Sequence, residues 1–178
     1  MVHIGLTQVQ MMFESMIEEW FDNGNDSNEN FIEAMLVGDL YAMNSYMNDI
    51  ALDTFSSFDV AGREESRIRP ENFYHGFVLG LMVDKRDDYI IKSNKESGFG
   101  RYDVMLRPRN VKKDKAIIME FKVLSPKKEK SLEETAQNAL EQIKEKKYKE
   151  ELIEAGINEN NIKAYGFAFE GKNVLILD

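Results

Sequence analysis

The sequence predicts an α/β domain preceded by a helical extension, and changes in the hydrophobic period carry that prediction. Over the first 60 residues, apolar side chains recur at three- and four-residue steps, which is the period of an amphipathic helix. From residue 89 onward most apolar positions follow the two-residue period of strands, interrupted by one long helical segment. The predicted element order is three helices, then α-β-β-β-α-β-β.

Residues 1–69 form the predicted helical extension. Their apolar stripes lie in residues 9–21, 31–36 and 40–54, and turn formers in "NGNDSNEN" separate the first two. Asp39 is the predicted N-cap of the third helix. Stripes of this kind are typical of packing surfaces, so we assign no chemistry to this part.

Residues 70–178 form the predicted α/β domain. Pro70 suits the first turn of a helix that runs to about Met82. Ser131 is a predicted cap, with Glu134 at the capping-box position, for one helix that runs to about Ala155. Strands are predicted in "YIIKSN", "RYDVMLRP", "AIIMEFKVL", "IKAYGFAFE" and "VLIL".

The composition excludes several classes of protein. The 178 residues contain no cysteine, which rules out disulfides and thiolate metal sites and fits a reducing compartment. No apolar run approaches the ~20 residues that a membrane span needs, so no membrane partner is expected. The first residues lack the pattern of a secretory signal, and we expect a cytoplasmic protein.

The charge pattern weakens a nucleic-acid partner without removing it. The net charge is −9 and the isoelectric point is near 4.9, whereas nucleic-acid binding usually leaves a basic footprint. Residues 1–60 contain no lysine or arginine. The locally basic stretches "RPRNVKKDK" and "SPKKEK", however, flank the predicted strand "AIIMEFKVL".

Three charged residues on two neighbouring strands suggest a metal site. Alternation places Glu120 and Lys122 on the face opposite the apolar Ile117, Met119, Phe121 and Val123. An antiparallel register in which paired residue numbers sum to 223 puts Asp103 directly across from Glu120. Two bare carboxylates at that spacing repel each other, and a Mg²⁺ ion would convert the repulsion into a binding site. Lys122 could then neutralise charge at a phosphate or position the attacking water.

A structural interpretation of the same residues stays open. Asp103, Glu120 and Lys122 could form the exposed polar face of an amphipathic hairpin, with Lys122 paired to either acid. Arg101 could contact a phosphate or only cap the glycine-containing turn before the strand. His75 is interpreted as a packed or hydrogen-bonded residue.

These stretches carry a resemblance. "GFGRYDVML" and "AIIMEFKV", followed by the helix "ALEQIKEKKY" and the strand "AYGFAFEGK", resemble the PD-(D/E)XK nuclease superfamily. More narrowly, they resemble the nuclease-like domain found after an AAA-ATPase-like module. The resemblance implies a restriction-endonuclease-like core, α-β-β-β-α-β, with a mixed central sheet flanked by helices. The helical region before it resembles that family's linker to the ATPase part, and a start inside such a linker suggests either a fragment or a truncated gene.

The resemblance also implies roles for the charged residues. Asp103 matches the motif aspartate, and Glu120 and Lys122 match the E-x-K pair. With the backbone carbonyl of Phe121, the two acids would hold Mg²⁺ or Mn²⁺. The motif proline is absent, since Tyr102 precedes Asp103.

Three further residues enter through the resemblance. Gln142 and Tyr148 fall where this family has a polar helix motif, so Gln142 is a candidate catalytic residue and Tyr148 a candidate substrate contact beside Arg101. Glu71 matches a position where some members place an acidic residue on the first helix, and it could contact a metal ligand or a second metal ion.

Two functions follow as hypotheses. The first is metal-dependent phosphodiester hydrolysis, with DNA as the favoured substrate. The second is a catalytically silent regulatory or protein-interaction module on the same scaffold, associated with an AAA-ATPase-like domain. The acidic charge favours the second hypothesis, and the complete set of Asp103, Glu120 and Lys122 favours the first.

Overall fold

The structure is a computed structural model that describes residues 25–59, 70–82, 85–93, 96–97, 100–101 and 103–178. Side chains are described in residues 29–52, 74–82, 85–93 and 103–178. The helix predicted over residues 9–21 lies outside the described residues.

Two of the helices begin at their predicted caps, whereas the first described helix begins at Asn25, within the stretch "NGNDSNEN" that was predicted as a turn. Asp39 accepts a hydrogen bond from the Ala42 N–H at 3.0 Å, which confirms its predicted role as an N-cap. Ser131 accepts one from the Glu134 N–H at 3.3 Å, so the predicted cap is also confirmed. The helices are α1 (Asn25–Val37), α2 (Leu40–Asp59), α3 (Pro70–Met82), α4 (Leu132–Glu145) and α5 (Tyr148–Glu154), with a 3₁₀ turn at Glu159–Asn161.

The five predicted strands form one mixed sheet. They are β1 (Tyr89–Ser93), β4 (Val104–Pro108), β5 (Ala116–Val123), β6 (Ile162–Glu170) and β7 (Asn173–Leu177), in the spatial order β1-β4-β5-β6-β7. Only β5 and β6 are parallel, and the other neighbouring pairs are antiparallel. The short strands β2 (Glu96–Ser97) and β3 (Gly100–Arg101) pair in a separate ladder. A mixed sheet with helices on both faces confirms the predicted fold class.

Strand β5 shows how the two faces of the sheet are divided. Ile117, Met119 and Phe121 pack in the core that α1, α2 and α3 cover. Ala116 and Ile118 pack on the opposite face against α4 and α5. The alternation predicted for this strand is therefore confirmed, and it assigns Glu120 and Lys122 to the α4 face.

The prediction of one helix from Ser131 to Ala155 is wrong, because the chain breaks at Lys147. This residue has a left-handed φ of 51°, and α5 begins after it. A straight continuation would place Tyr148 roughly 130° and Leu152 roughly 170° around the helix from its buried stripe. The break lets both side chains enter the core, where each is at most 1% exposed.

Two asparagines of α2 cover the outer edge of β7. The Asn44 side chain accepts from the Ile176 N–H at 2.8 Å and donates to the Ile176 carbonyl at 3.0 Å. Asn48 does the same with Val174, at 2.9 and 2.8 Å. The side-chain amides thus take the place of a sixth strand and satisfy edge groups that would otherwise invite pairing with another chain.

No helix in the described part of the chain combines the length and the apolarity that a bilayer span requires.

Candidate active site

The pairing of β4 with β5 fixes where Asp103 lies. Val104 pairs with Met119, Met105 with Ile118 and Leu106 with Ile117, so paired numbers sum to 223 as predicted. Continuing that register by one residue places Asp103 across from Glu120. Met105 and Ile118, one pleat further into the sheet, pack in the same core cluster on the α4 face. Asp103 and Glu120 therefore belong to the same face by alternation.

Asp103 itself lies in a bend just before β4, where the ladder with β5 has ended. Its Oδ2 accepts a hydrogen bond from the Phe121 N–H at 2.8 Å. The N–H and carbonyl of one strand residue point to the same edge of the strand, so the Phe121 carbonyl is directed toward Asp103 as well. The carboxylate thus replaces a strand partner and stands beside a backbone oxygen.

Glu120 is buried although it carries a carboxyl group, with 5% of its surface exposed. Its Oε1 accepts a hydrogen bond from the side-chain amide N–H of Gln142. The Oε1 of the same Gln142 amide accepts from the Lys122 ammonium group at 2.8 Å. One glutamine therefore joins the acid and the base of the E-x-K pair, using its donor for the acid and its acceptor for the cation.

A glycine in β6 lets α4 approach closely enough to bring Gln142 to this place. Gly166 pairs with Glu120 in the parallel ladder. A Cβ added at Gly166 would lie 2.3 Å from the Ala136 carbonyl oxygen and 3.1 Å from side-chain carbons of Ala139 and Leu140. Such contact with backbone is not tolerated, so any larger residue would push the helix away from the sheet.

Two polar residues of α4, Thr135 and Asn138, are not among the predicted site residues. Thr135 and Asn138 precede Gln142 by seven and four positions, which puts all three on one flank of α4. Both donate hydrogen bonds to Glu129, at 3.0 Å from the Thr135 hydroxyl and 2.8 Å from the Asn138 amide. A run of uncharged polar residues at helical spacing, next to the apolar stripe, is the sequence signal that could have revealed this flank.

The surroundings of Glu129 change its acidity. Burial raises its pKa, but hydrogen bonds from the Ser125 N–H, Asn138 and Thr135, together with the positive charge of Lys122, outweigh that effect. The net result is a pKa below the ordinary glutamate value. Glu129 is therefore held as a carboxylate near the E-x-K pair.

Three further residues were predicted at this site, namely Tyr148, Glu71 and Arg101. Tyr148 is 1% exposed and packs in the core below α4, so its ring has no surface to offer a substrate. Glu71 lies on α3 and Arg101 on β3, but their side chains lie outside the described part of the chain. Their predicted roles stay predictions.

His75 supports the site from the opposite face of the sheet. Its Nε2 lies 2.9 Å from the Ser93 hydroxyl, and its ring centroid lies 5.6 Å from that of Phe121. The interpretation of His75 as a packed, hydrogen-bonded residue is confirmed. Its contact with Phe121 helps to fix the strand residue whose backbone faces Asp103.

The oxygen donors available here fit a magnesium or manganese ion. Among the described side chains, no three acidic or histidine residues converge on one point. The donors would be the carboxylates of Asp103 and Glu120 and the carbonyl of Phe121. Mg²⁺ is commonly bound by one or two carboxylates while it keeps several waters and takes phosphate oxygens, so this sparse set suits it.

The fold and the site together define a class. The domain is restriction-endonuclease-like: a mixed sheet between helices, with an aspartate before one strand and E-x-K on the next. The chain belongs to the PD-(D/E)XK nuclease superfamily, because the model of that family matches residues 69–178, more than half of its length. Members of this superfamily generally use divalent metal ions. No curated protein and no solved structure matches the chain.

Proposed function

We propose that this protein is a Mg²⁺- or Mn²⁺-dependent nuclease that hydrolyses phosphodiester bonds, with DNA as substrate. One observation carries the proposal: the Gln142 amide joins Glu120 to Lys122 on the sheet face that the register also assigns to Asp103. A merely exposed polar face would not bury Glu120 or bind its carboxylate to a helix residue.

The proposed roles follow from the chemistry of each group. Asp103, Glu120 and the Phe121 carbonyl would hold the ion, which when bound polarises a phosphoryl oxygen and lowers the pKa of water. Lys122 would offset negative charge that develops on the phosphate. Gln142 would hold the Glu120 carboxylate and the Lys122 ammonium in fixed positions, so that neither has to reorganise during the reaction.

The experiment compares cleavage of single-stranded, duplex and branched DNA in Mg²⁺ and Mn²⁺ by the wild type, Glu120→Gln and Lys122→Met. We expect each variant to lose roughly 100-fold or more in rate while keeping the wild-type melting temperature. Glu150→Gln and Lys113→Met, both at exposed positions outside the candidate site, are the matched controls. Wild-type protein that neither cleaves nor binds either metal by calorimetry would refute the proposal.

The alternative proposal is a silent regulatory or interaction module on the same scaffold. The net charge of −9 supports it, because it opposes association with a polyanion. The same calorimetry separates the two functions. The nuclease should show a heat of metal binding that the Glu120→Gln change removes, whereas the silent module should show no such heat.

We further propose that the chain divides into a helical region, residues 1–69, and a nuclease-like domain, residues 70–178. We also propose that the protein acts in the cytoplasm, and that it acts with an AAA-ATPase-like partner in the same polypeptide or in trans. The resemblance of the helical region to the family's linker supports this association. ATP-dependent stimulation of cleavage when such an ATPase is added would support it, and the absence of both stimulation and co-purification would count against it.

A further inference from the structure

The segment between β5 and α4 is a compact basic loop, residues 124–131. The Leu124 N–H donates to the Phe169 carbonyl at 2.9 Å, and the N–H groups of Lys128 and Glu129 donate to the Ser125 carbonyl at 2.8 and 2.9 Å. The side chains of Lys127, Lys128 and Lys130 are exposed. The loop is thus closed by its own backbone and presents three cations to solvent.

Glu129 is the one acid within this loop, and its carboxylate is turned inward. It accepts hydrogen bonds from the Ser125 N–H at 3.0 Å, the Thr135 hydroxyl at 3.0 Å and the Asn138 amide at 2.8 Å. Thr135 is fully buried. The bonds from Thr135 and Asn138 attach the loop to the first turns of α4, and the bond from the Ser125 N–H closes the loop on itself.

The attachment point lies close to the candidate active site. Asn138 precedes Gln142 by four residues, about 6 Å along the helix axis, and Gln142 contacts both Glu120 and Lys122. The loop also begins directly after the strand that carries the E-x-K pair. The three exposed lysines therefore stand at the same end of β5 as the proposed reacting groups.

We infer that the basic loop, residues 124–131, binds the sugar–phosphate backbone of the nucleic acid beside the bond that is cut, and that Glu129 is the residue that positions it. Lysine is a flexible point cation that suits phosphate oxygens without reading bases. In a protein of net charge −9, a local concentration of cations is needed to hold a polyanion. The inference rests on the proposed function, because it assigns the substrate contact of the same site.

The first test neutralises the loop and a matched pair of lysines elsewhere. Lys127→Gln/Lys128→Gln is compared with Lys112→Gln/Lys113→Gln, an exposed pair in the turn before β5. The two pairs change the net charge equally but lie at opposite ends of a strand that is roughly 23 Å long. Binding of a fluorescent DNA duplex and of the corresponding single strand is measured with EDTA at several salt concentrations.

We expect the loop variant to bind about tenfold more weakly, with the slope of log K against log salt reduced by about 1 to 2. The turn variant should change affinity by less than about twofold. The strand that separates its lysines from the basic loop is longer than two Debye lengths at physiological salt, so these charges act only weakly on a phosphate held at the loop. Equal effects of the two pairs would overturn the inference.

The second test uses Glu129→Gln. A positioning role for Glu129 and a pure charge effect predict opposite changes in DNA affinity for this variant. If the loop acted only through its charge, removal of a carboxylate would tighten DNA binding. If Glu129 positions the lysines, the variant binds DNA more weakly, because an amide cannot accept all three hydrogen bonds. Thr135→Val, which removes one of these bonds without a change in charge, should weaken binding in the same direction. Tighter binding by Glu129→Gln would overturn the inference.

The outcomes also separate this inference from the proposed function. DNA binding that depends on Lys127 and Lys128, without cleavage, supports the inference and refutes the nuclease. Cleavage and binding unchanged by Lys127→Gln/Lys128→Gln overturn the inference and leave the nuclease standing. A wild type that binds no DNA overturns the inference. So does a wild type from which poly-glutamate displaces the labelled DNA as well as unlabelled DNA does.

Discussion

Asp103 accepts a hydrogen bond from the Phe121 N–H at 2.8 Å, one residue beyond the last backbone pair between β4 and β5. The Asp103 side chain thus accepts the hydrogen bond that a backbone carbonyl would accept if the β4–β5 ladder continued. The carboxylate has two functions in this position: it satisfies a strand N–H, and it brings a charge to the place where Glu120 and the Phe121 carbonyl lie. Substitution can separate the two.

Asp103→Asn should separate structure from chemistry. The asparagine oxygen can still accept from Phe121, so we expect the free energy of unfolding to change by less than about 1 kcal/mol. The charge is lost, so metal affinity should fall and cleavage should fall roughly 100-fold. Urea unfolding and metal calorimetry measure the two effects.

Asp103→Ala is the companion variant. It also removes the acceptor for the Phe121 N–H, and we expect a further destabilisation of about 1–3 kcal/mol. Equal stability of the Asn and Ala variants would show that the hydrogen bond contributes nothing.

Gln142→Leu should impair activity without removing a charge. The change deprives the buried Glu120 of a donor and Lys122 of an acceptor, so we expect cleavage or metal affinity to fall by about 10–100-fold, as for other residues that orient metal ligands. Gln137→Leu, an exposed position on the opposite flank of α4, is the control; similar effects of both changes would argue against a specific role.

The parts of this site that could be predicted are those set by the spacing of apolar and polar residues within one strand. The two-residue period of β5 assigns Glu120 and Lys122 to one face, and the same period in β4 restricts the register that places Asp103 across from Glu120. The break at Lys147 was missed because the apolar residues of both helices look continuous unless their angular phase is followed.

Contacts between distant segments leave no such signal. The close approach of α4 to Gly166 depends on how a helix crosses a strand, and a lone glycine in a strand indicates only that some close neighbour exists. The pairing of Asn44 with Ile176 joins residues 132 positions apart through a side chain, so no sequence period records it.

Gly166→Ala should destabilise the protein and disturb the site. The added methyl group would contact the Ala136 carbonyl at 2.3 Å, and we expect a loss of about 1–3 kcal/mol in the free energy of unfolding. Displacement of α4 should also withdraw Gln142 from Glu120 and lower cleavage more than the loss of stability explains. Gly76→Ala is the control, since nothing lies within 4 Å of its added Cβ and helical alanine is favoured by about 0.4–1 kcal/mol. Equal stability of the two variants would contradict the close approach.

Asn44→Ala/Asn48→Ala should expose the edge of the sheet. The N–H and carbonyl groups of Val174 and Ile176 would lose their side-chain partners, and each change should cost about 1–3 kcal/mol. An unprotected edge strand promotes association, so light scattering should show concentration-dependent aggregation. Ser45→Ala, at an exposed position of the same helix, should change stability by less than about 0.5 kcal/mol. Monomeric behaviour of the double variant at high concentration would show that the edge needs no cover.

The depressed pKa of Glu129 predicts an acid-dependent loss of stability. Its folded pKa lies below the ordinary value of 4.5, so folding favours the carboxylate over the protonated acid. The stability that this carboxylate contributes is therefore fully present above pH 4.5 and is lost as the pH falls through the lower folded pKa. Glu129→Gln cannot titrate, so the difference in unfolding free energy between wild type and variant should shrink below pH 4.5. Urea unfolding from neutral pH down to pH ~3 measures this difference; a difference that stays constant over this range would show that the Ser125, Thr135 and Asn138 hydrogen bonds do not favour the ionised form.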